Sequence, residues 1–331
     1  MRSLTMREAI REALVQEMGR DRNVILMGED IGHYGGTLQV TLGIWQQFGS
    51  ERVLDTPLSE SAITGAAVGA AMMGMRPVVE IMFADFLTLA ADQLVNNAAK
   101  MCYAYDGDMQ VPMVVRAAFG AGSRSGMHHC QSVEAWFAHV PGLKVVIPAT
   151  ASDAKGLLVA AIRDPNPVMF FEHKMLYGIR DEVPEGEYVV PLGKAAIRRA
   201  GSDVSIVAYG SMMHKALRAA EALQKEEIQA EVIDLRTIKP LDVRTVVESV
   251  VKTSRLIVVH EACLFGGIGA EVAAIAAKAA FGYLDAPIER IGAPDTPVPF
   301  SPTLEDFYIP TEERIIRAAM DLCGRKYHTQ Q

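Results

Sequence analysis

The most informative part of the chain is the stretch Asp55–Glu60 (DTPLSE), which runs directly into Ser61–Ala71 (SAITGAAVGAA). Nearly all residues after Glu60 are small, and Gly65 and Gly69 lie about one helical turn apart. This composition predicts a helix that another backbone can approach closely. Because Glu60 stands where the helix begins, we expect its carboxylate to be held rigidly and largely out of water.

Glu60 also has an ordinary structural interpretation. Ser59 or Thr56 is a suitable N-cap, Pro57 suits the first helical position, and a glutamate in the first turn complements the helix dipole. A serine cap, however, needs no carboxylate beside it, and burial of an unpaired charge costs on the order of several kcal/mol or shifts the pKa. Buried carboxylates with shifted pKa values concentrate at functional sites, so Glu60 is a candidate catalytic residue.

Composition excludes several classes of protein. The chain has 331 residues, half of them hydrophobic, which suffices for two substantial cores. Its net charge of −8 comes from 32 basic and 40 acidic residues without a basic stripe, which argues against nucleic-acid binding. No apolar run approaches the roughly 20 residues of a membrane helix. We therefore expect neither a nucleic-acid nor a membrane partner.

The termini and cysteines indicate a cytoplasmic protein. The start of the chain, Met1–Glu8, carries charges where a secretion signal needs an apolar core. The four cysteines are far apart and form no C-x-x-C pair, so neither a zinc site nor a disulfide framework is indicated. Reduced thiols are the simplest account. We expect residues 325–331 to form a flexible tail.

Helical and strand patterns alternate along the whole chain. This alternation predicts an α/β fold of two three-layer domains with mainly parallel sheets. The predicted strands are 23–28, 77–83, 112–116, 143–147, 167–171, 203–209, 230–235, 256–260 and 288–291. The predicted helices include 5–18, 86–103, 151–163, 241–252 and 269–281. Segment 182–191 is rich in Pro, Gly and Glu and predicts a linker between domains of residues 1–186 and 192–324.

Several polar or aromatic side chains follow the predicted strands. Glu29 comes after the first strand, Asp85 and Phe86 come after the second, and the loop Gly120–Ser132 comes after the third. In open parallel sheets, ligands bind beyond the carboxyl ends of the strands. We therefore expect the functional residues to meet at this edge.

The loop contains two adjacent histidines, His128 and His129. Neighbouring side chains cannot point the same way, so we expect one to face a cavity and the other to pack or meet solvent. A pair of ordinary surface histidines is the alternative, because loops tolerate histidine. A metal site is the weaker interpretation, because no third ligand stands at local spacing. A histidine beside a functional carboxylate suits proton transfer near neutral pH.

The run Gly266–Gly269 (GGIG) opens a predicted helix after a strand. It does not match G-x-G-x-x-G, because Val272 stands where the third glycine is needed. Helix initiation is therefore the favoured interpretation, and a dinucleotide site is the alternative.

Several motifs, in order along nearly the whole chain, resemble one family. That family is the β subunit of the thiamine-diphosphate-dependent E1 component of 2-oxo acid dehydrogenase complexes, which is transketolase-like. The motifs are Asp55–Glu60, Phe83–Phe86 (FADF), His129–Ser132 (HCQS), Pro141–Val146 (PGLKVV), Asp153–Leu158 (DAKGLL), Ala161–Pro167 (AIRDPNP) and Asp234–Thr237 (DLRT).

The resemblance implies a pyrimidine-binding domain followed by a transketolase C-terminal domain. Glu60 matches the glutamate that hydrogen-bonds the aminopyrimidine ring of thiamine diphosphate and exchanges a proton with it. His129 matches a histidine that takes part in proton transfer when the acyl group passes to lipoamide. The implied cofactor-pocket residues are Glu29, Leu58, Ser59, Glu60, Met82 and Phe86. The implied substrate-side residues are Phe83, Ala84, Asp85 and His128. The implied potassium ligands are Met113, Ala161, Ile162, Asp164 and Asn166.

The sequence departs from the family pattern in three places. Met82 stands where many relatives carry Gln, and Cys130 stands where Ser is usual. The family holds the diphosphate and Mg²⁺ with a Gly-Asp-Gly motif and a later Asn, whereas this chain offers only Gly107–Met109, which predicts a turn. The resemblance therefore implies half of a cofactor site, completed by an α subunit in an α2β2 heterotetramer. The helix after Glu60 then forms an interface, or alternatively packs within one chain.

The implied activity is oxidative decarboxylation of a 2-oxo acid, with pyruvate favoured, or cleavage of acetoin, followed by acylation of the lipoyl group of an E2 partner. The segments 80–83, 172–177 and 296–301 favour pyruvate or acetoin members over branched-chain members. A branched-chain E1 β subunit is the alternative within the family. A nucleotide-binding oxidoreductase module and a non-catalytic scaffold subunit are the alternatives outside it.

Overall fold

The structure, a computed structural model, describes residues 1–325 and divides into two α/β units. The first unit comprises Met1–Gly120 and His128–Leu192, and the second comprises Ala121–Met127 and the chain from Gly193 onward. Of the predicted tail, residues 326–331 lie outside the described residues. Within residues 1–325, no helix combines the length and the apolar character that crossing a bilayer requires.

The first unit is built on a parallel sheet. Its strands, in chain order, are β1 (Arg2–Thr5), β2 (Val24–Gly28), β3 (Val53–Asp55), β4 (Arg76–Ile81), β5 (Val114–Phe119), β6 (Lys144–Val146), β7 (Val168–His173) and β8 (Arg180–Val183). Its helices are α1 (Met6–Arg20), α2 (Ile44–Phe48), α3 (Glu60–Met72), α4 (Leu87–Asp92), α5 (Ala99–Ala104), α6 (Glu134–Ala138) and α7 (Ala151–Arg163). Six strands pair in the order β6-β7-β5-β4-β2-β3, all parallel.

This sheet follows from mainly apolar runs rather than alternating ones. β2, β5 and β7 are buried along their whole length, as expected of parallel strands covered on both faces. The caps also follow from local sequence: Thr5 and Glu8 form a capping box at the start of α1, and Thr150 caps α7. The predicted helix 151–163 is confirmed at both ends.

Two details of the first unit differ from prediction. The segment 182–191, predicted as a linker, packs on the first unit: Val183 belongs to β8, which pairs antiparallel with β1, and Tyr188 and Val190 pack on α7 at Gly156. The predicted helix 86–103 is interrupted, because a π-helical turn at Gln93–Ala98 separates α4 from α5. Such turns often occur at functional sites, and periodicity alone does not reveal them.

The second unit is built on a smaller, mixed sheet. Its strands are β9 (Ala196–Arg199), β10 (Val204–Ala208), β11 (Ala230–Asp234), β12 (Thr237–Lys239), β13 (Leu256–Cys263) and β14 (Glu289–Ala293). Its helices are α8 (Ser211–Lys225), α9 (Val243–Thr253), α10 (Ile268–Ala279), α11 (Pro302–Tyr308) and α12 (Glu312–Leu322). Five strands pair in the order β14-β13-β10-β11-β9, parallel except for β9 at one edge. The prediction of two α/β units with mainly parallel sheets is confirmed.

The segment Ala121–Met127 joins the second unit through two buried carboxylates. The backbone N–H of Ala121 donates to Glu261 at 2.5 Å, and that of Gly122 donates to Glu305 at 2.7 Å. The guanidinium of Arg124 also bonds Glu305, at 3.0 Å. The loop is thus anchored by charge-assisted hydrogen bonds immediately before His128.

The glycine run at the start of α10 serves packing around His260. Gly267 is the N-cap of α10, so the prediction of helix initiation is confirmed. A Cβ at Gly267 or Gly269 would lie 2.7 Å from the imidazole of His260, and one at Gly292 would lie 3.1 Å from it. These positions therefore admit only glycine beside a buried ring. The His260 side chain stacks on Tyr209, with centroids 6.2 Å apart.

His260 should make the stability of the second unit depend on pH. Burial lowers its pKa from the ordinary 6.5 to about 4, and Arg290 adds to this, although the Ala262 carbonyl 3.0 Å from Nδ1 opposes it. As the pH falls, His260 takes up a proton in the unfolded chain before it does so in the folded protein. Stability present above pH 6.5 is therefore lost progressively toward pH 4, by about 3 kcal/mol from this group.

Calorimetric melting from pH 7.5 to 5 checks this dependence. We expect His260→Gln to flatten the fall in melting temperature, while His139→Gln, at an exposed histidine, leaves the fall unchanged. An identical pH slope for wild type and His260→Gln would contradict the assignment.

Candidate functional site

Glu60 is the first residue of α3, as predicted, but it is less buried than expected. Its side chain is half-buried and borders an open cavity of about 580 Å³. The expectation that the small residues of α3 would bury it within this chain is wrong, because Ala62, Ala66 and Gly69 leave that helix face exposed. Small side chains permit close approach, and on this face the described chain leaves Ala62, Ala66 and Gly69 open.

The cap of α3 also differs from the simplest expectation. Ser59 is the N-cap, yet its side chain makes no cap hydrogen bond; its hydroxyl instead donates to the Pro57 carbonyl at 3.0 Å. The backbone N–H of Ser59 donates to Glu29 Oε1 at 3.2 Å. A carboxylate from the end of β2 therefore holds the turn that presents Glu60.

Glu29 and Glu60 form an acidic pair at this turn. Glu29 is only 4% exposed. Burial raises the pKa of Glu29 above its ordinary value, and the charges of Glu60 and Asp30 raise it further, whereas the Ser59 N–H lowers it. The Glu29 carboxyl is therefore easier to protonate than an ordinary glutamate carboxyl.

The cavity is lined by small and uncharged groups apart from Glu60. The π-helical turn contributes Gln93, whose Oε1 would lie 3.3 Å from a Cβ at Gly65. The lining residues are Ser59, Glu60, Ser61, Ala62, Gly65, Ala66, Leu89 and Gln93. No basic side chain is among them. Leu58, predicted as a pocket residue, is 78% exposed beside this opening.

Phe83, Phe86 and His129 form an aromatic cluster after β4. The imidazole of His129 lies edge-on to both rings, with centroids 4.8 Å from Phe83 and 5.6 Å from Phe86. The two phenyl rings are 6.0 Å apart. The structure therefore brings together three residues that the sequence placed in separate motifs. The neighbouring strands β2, β4 and β5 place this cluster and the Glu60 turn at the same edge of the sheet.

Asp85 and Ala84, predicted on the substrate side, are buried. Asp85 Oδ1 accepts hydrogen bonds from the Gln131 backbone at 3.2 Å and side chain at 2.8 Å. Its Oδ2 is buried, with no hydrogen-bond partner among residues 1–325. Asp85 thus fixes the segment that follows His129.

The two adjacent histidines have different surroundings. His128 is exposed, whereas His129 is half-buried in the aromatic cluster, which confirms that neighbouring side chains diverge. The chain reaches them through Gly120, whose φ of +93° and close neighbour require glycine: a Cβ there would lie 2.2 Å from Nε2 of His173.

Sequence reasoning missed a buried ion cluster beneath the site. Arg116 donates to both oxygens of Glu172, at 2.7 and 2.8 Å, and to Glu80 at 2.6 Å. The Tyr177 hydroxyl bonds Glu172 at 2.6 Å. Met82 lines the small space above these groups. The sequence does show three charged residues, Glu80, Arg116 and Glu172, inside apolar strands. Which of them pair can be known only from the order of the strands in the sheet.

Lys174 was also missed. It follows β7, and its ammonium bonds the carbonyl oxygen of His129 and lies 3.3 Å from Cys130 Sγ. Its contact with the histidine is not visible in sequence, because Lys174 and His129 are 45 positions apart.

The predicted potassium ligands come from two places: Met113 directly precedes β5, whereas Ala161, Ile162, Asp164 and Asn166 lie at the end of α7 and in the turn after it. The Arg76 guanidinium donates to the carbonyls of Ile162 at 2.9 Å and Asp164 at 3.4 Å. The Met113 carbonyl accepts from the Val168 N–H at 3.0 Å. Two cations already bind this turn, Arg76 at the carbonyls and Lys144 at the Asp164 carboxylate, and the potassium site stays a prediction. Among residues 1–325, no cluster of three His, Cys, Asp or Glu side chains is placed to hold a metal ion.

Comparison with known proteins matches both units. The family model described as the transketolase pyrimidine-binding domain matches residues 2–180, and that described as the transketolase C-terminal domain matches residues 193–315. A solved structure, the inactive β4 tetramer of a split-gene transketolase, superposes with a TM-score of 0.79 at 25% identity. That match covers 98% of this chain and 99% of the other.

Three relatives of this chain are each named for a different substrate. The chain is 53% identical to the acetoin:2,6-dichlorophenolindophenol oxidoreductase β subunit of Cupriavidus necator, over 96% of this chain and 97% of that protein. It is 48% identical to the 2-oxoisovalerate dehydrogenase β subunit of Bacillus subtilis, over 95% and 97%. It is also 48% identical to the pyruvate dehydrogenase E1 β subunit of Rickettsia felis, over 97% and 98%.

Proposed function

Since the chain belongs to the family of E1 β subunits of 2-oxo acid dehydrogenase complexes, which are oxidoreductases with a transketolase-like fold, we propose that it carries half of a thiamine diphosphate site. An α subunit completes the site in an α2β2 assembly. The two domains correspond to residues 1–186 and 192–324. A cytoplasmic location fits an enzyme of this class.

One observation carries the proposal. Glu60 borders a cavity that is open on the exposed face of α3 and has no basic residue in its lining. A diphosphate requires positive charge, a metal ion or a row of N–H donors. This lining suits the aminopyrimidine end of the cofactor, so the α chain would hold the diphosphate and Mg²⁺. The small residues of α3 let the α chain approach this helix closely enough to complete the site. The β4 assembly of the structural relative is inactive, in agreement with a shared site.

The residues of this chain then have distinct tasks. Glu60 would hydrogen-bond the aminopyrimidine ring and hold the proton exchanged with it, and Glu29 fixes the turn that presents Glu60. Leu58, Ser59, Met82 and Phe86 border the ring. We assign Phe83, Ala84, Asp85 and His128 to the substrate side, where the buried Asp85 acts by holding Gln131. Bound thiamine diphosphate supplies a carbon nucleophile and an electron sink. The carbonyl turn near Arg76 would hold K⁺ as a structural ion.

His129 acts in the second half of the reaction. Its half-buried imidazole stands against Phe83 and Phe86, where water is partly excluded. We assign it proton transfer as the acyl group passes to the lipoyl group of an E2 partner, since an imidazole can both accept and donate a proton. The substrate is pyruvate or acetoin, with 2-oxoisovalerate as the alternative in the same family.

Reconstitution with an α subunit tests this proposal. Purified chain, α subunit and their mixture are assayed with pyruvate, 2-oxoisovalerate and acetoin, with 2,6-dichlorophenolindophenol as electron acceptor. We expect turnover only in the mixture, fastest with pyruvate or acetoin. Full turnover by the isolated chain would sink the shared-site proposal, and the fastest rate with 2-oxoisovalerate would overturn the substrate assignment.

A further inference from the structure

Lys174 stands at the base of the aromatic cluster. Its ammonium bonds the carbonyl oxygen of His129, lies 3.3 Å from Cys130 Sγ, and lies 5.5 Å from the centroid of the Phe83 ring. The same Phe83 ring contacts the imidazole of His129 at 4.8 Å. One cation therefore contacts both the backbone of His129 and the ring against which its side chain packs.

The backbone that carries Lys174 is itself rigid. His173 is buried against Gly120, and its Nδ1 accepts the N–H of Met175 at 3.3 Å. Glu172 is held by Arg116. The main chain at Lys174 is thus fixed on both sides, so the remaining cost of binding its ammonium is the lost rotamer freedom of the side chain. A charged donor makes a stronger hydrogen bond to a carbonyl than a neutral one does, and a cation over an aromatic face adds to it.

We propose that Lys174 is the residue that positions His129 for acyl transfer to the lipoyl group. The inference rests on the proposed function, because it assumes that His129 takes part in that step. Lys174 acts through His129 and Phe83 and forms no bond with the reacting atoms. Without the ammonium, the His129 carbonyl loses a partner and the Phe83 ring loses the cation beside it, so the imidazole is free to shift. A misplacement of about 1 Å can cost up to about 100-fold in rate.

The test separates the two half-reactions in the reconstituted complex. Lys174→Met removes the charge at similar length, Lys174→Arg keeps the charge, and Lys225→Met changes an exposed lysine of the second unit as the control. Each complex is assayed with 2,6-dichlorophenolindophenol, which needs no lipoyl group, and with a lipoyl domain as acceptor. His129→Ala is measured in parallel.

We expect Lys174→Met to slow acylation of the lipoyl domain at saturation by at least about tenfold, with KM for the 2-oxo acid or acetoin nearly unchanged. Its rate with the dye should fall much less, and Lys174→Arg should recover most of the loss. Lys225→Met should match wild type in both assays. If Lys174→Met fails to assemble, Lys174→Gln, which keeps a donor for the carbonyl, should show an intermediate loss.

Three outcomes overturn the inference. If Lys174→Met acylates the lipoyl domain at the wild-type rate while His129→Ala is slow, the positioning role is refuted and the proposed function is kept. The same holds for Lys174→Gln if that variant replaces Lys174→Met. Equal losses in both assays indicate a general structural role for Lys174. A wild-type lipoyl rate for His129→Ala removes the step that Lys174 would serve, and with it the role proposed for His129.

Discussion

Glu60→Gln in the reconstituted complex is expected to lower decarboxylation by about 10²- to 10⁴-fold, the usual contribution of a positioned acid–base group. Glutamine has nearly the shape of glutamate and keeps a hydrogen bond to the ring, but it cannot take up or release a proton there. Glu29 cannot substitute, because it is buried behind the turn and already accepts the Ser59 N–H. The loss should appear in kcat, with assembly unchanged.

A matched control separates chemistry from folding. Glu51→Gln changes an exposed glutamate of the same unit and should retain wild-type turnover. Glu60→Ala should lose at least as much activity as Glu60→Gln. Size-exclusion chromatography should show the same assembly for all three. Near-normal turnover of Glu60→Gln would refute the role given to Glu60.

The second large effect is on stability. Arg116→Met should destabilise the first unit by about 3–5 kcal/mol, the usual cost of breaking a buried ion pair from one side. Arg116 is 2% exposed and neutralises both Glu80 and Glu172, so its removal leaves two carboxylates next to each other in the core. Melting followed by calorimetry and circular dichroism measures the loss.

The pH dependence of this loss has a definite sign. Burial raises the pKa of Glu80, and Glu172 raises it further, while Arg116 opposes them. Without Arg116, the Glu80 carboxyl keeps its proton in the folded variant, whereas in the unfolded chain it releases that proton above about pH 4.3. The destabilisation should therefore grow as the pH rises from 6 to 8.

Two further variants test the cause. Arg244→Met breaks an exposed pair with Glu248 and should change stability by less than about 0.5 kcal/mol. Adding Glu172→Gln to Arg116→Met removes one buried charge and should restore part of the stability. An Arg116→Met protein as stable as wild type would show that the ion cluster contributes nothing net to the fold.

Much of the fold was predictable because apolar strands and capped helices are local signals. The run that becomes β2 is continuously apolar, and the helix 151–163 has a threonine cap before it and a charged last turn. The packing of the predicted linker 182–191 was not predictable, because Pro, Gly and Glu suit a packed surface segment as well as a free one. Tyr188 and Val190, within that segment, bury against Gly156 through contacts that no local pattern reveals.

The candidate site was predictable only in part. Glu60, Phe86 and His129 were found through motifs, and the structure places them at one sheet edge. The burial of Glu60 was predicted wrongly, because small residues indicate that a partner can approach but not whether it belongs to the same chain. Lys174 and Arg116 depend on strand order and on residues far apart in sequence, so composition gives no sign of their contacts.

The most direct measurement is calorimetric titration of thiamine diphosphate with Mg²⁺ into three samples: the isolated chain, the complex with an α subunit, and the complex carrying Glu60→Gln. The shared-site account predicts no saturable heat with the isolated chain, one cofactor per αβ pair in the wild-type complex, and the same stoichiometry with weaker binding for Glu60→Gln. Binding to the isolated chain with the affinity of the complex would contradict it.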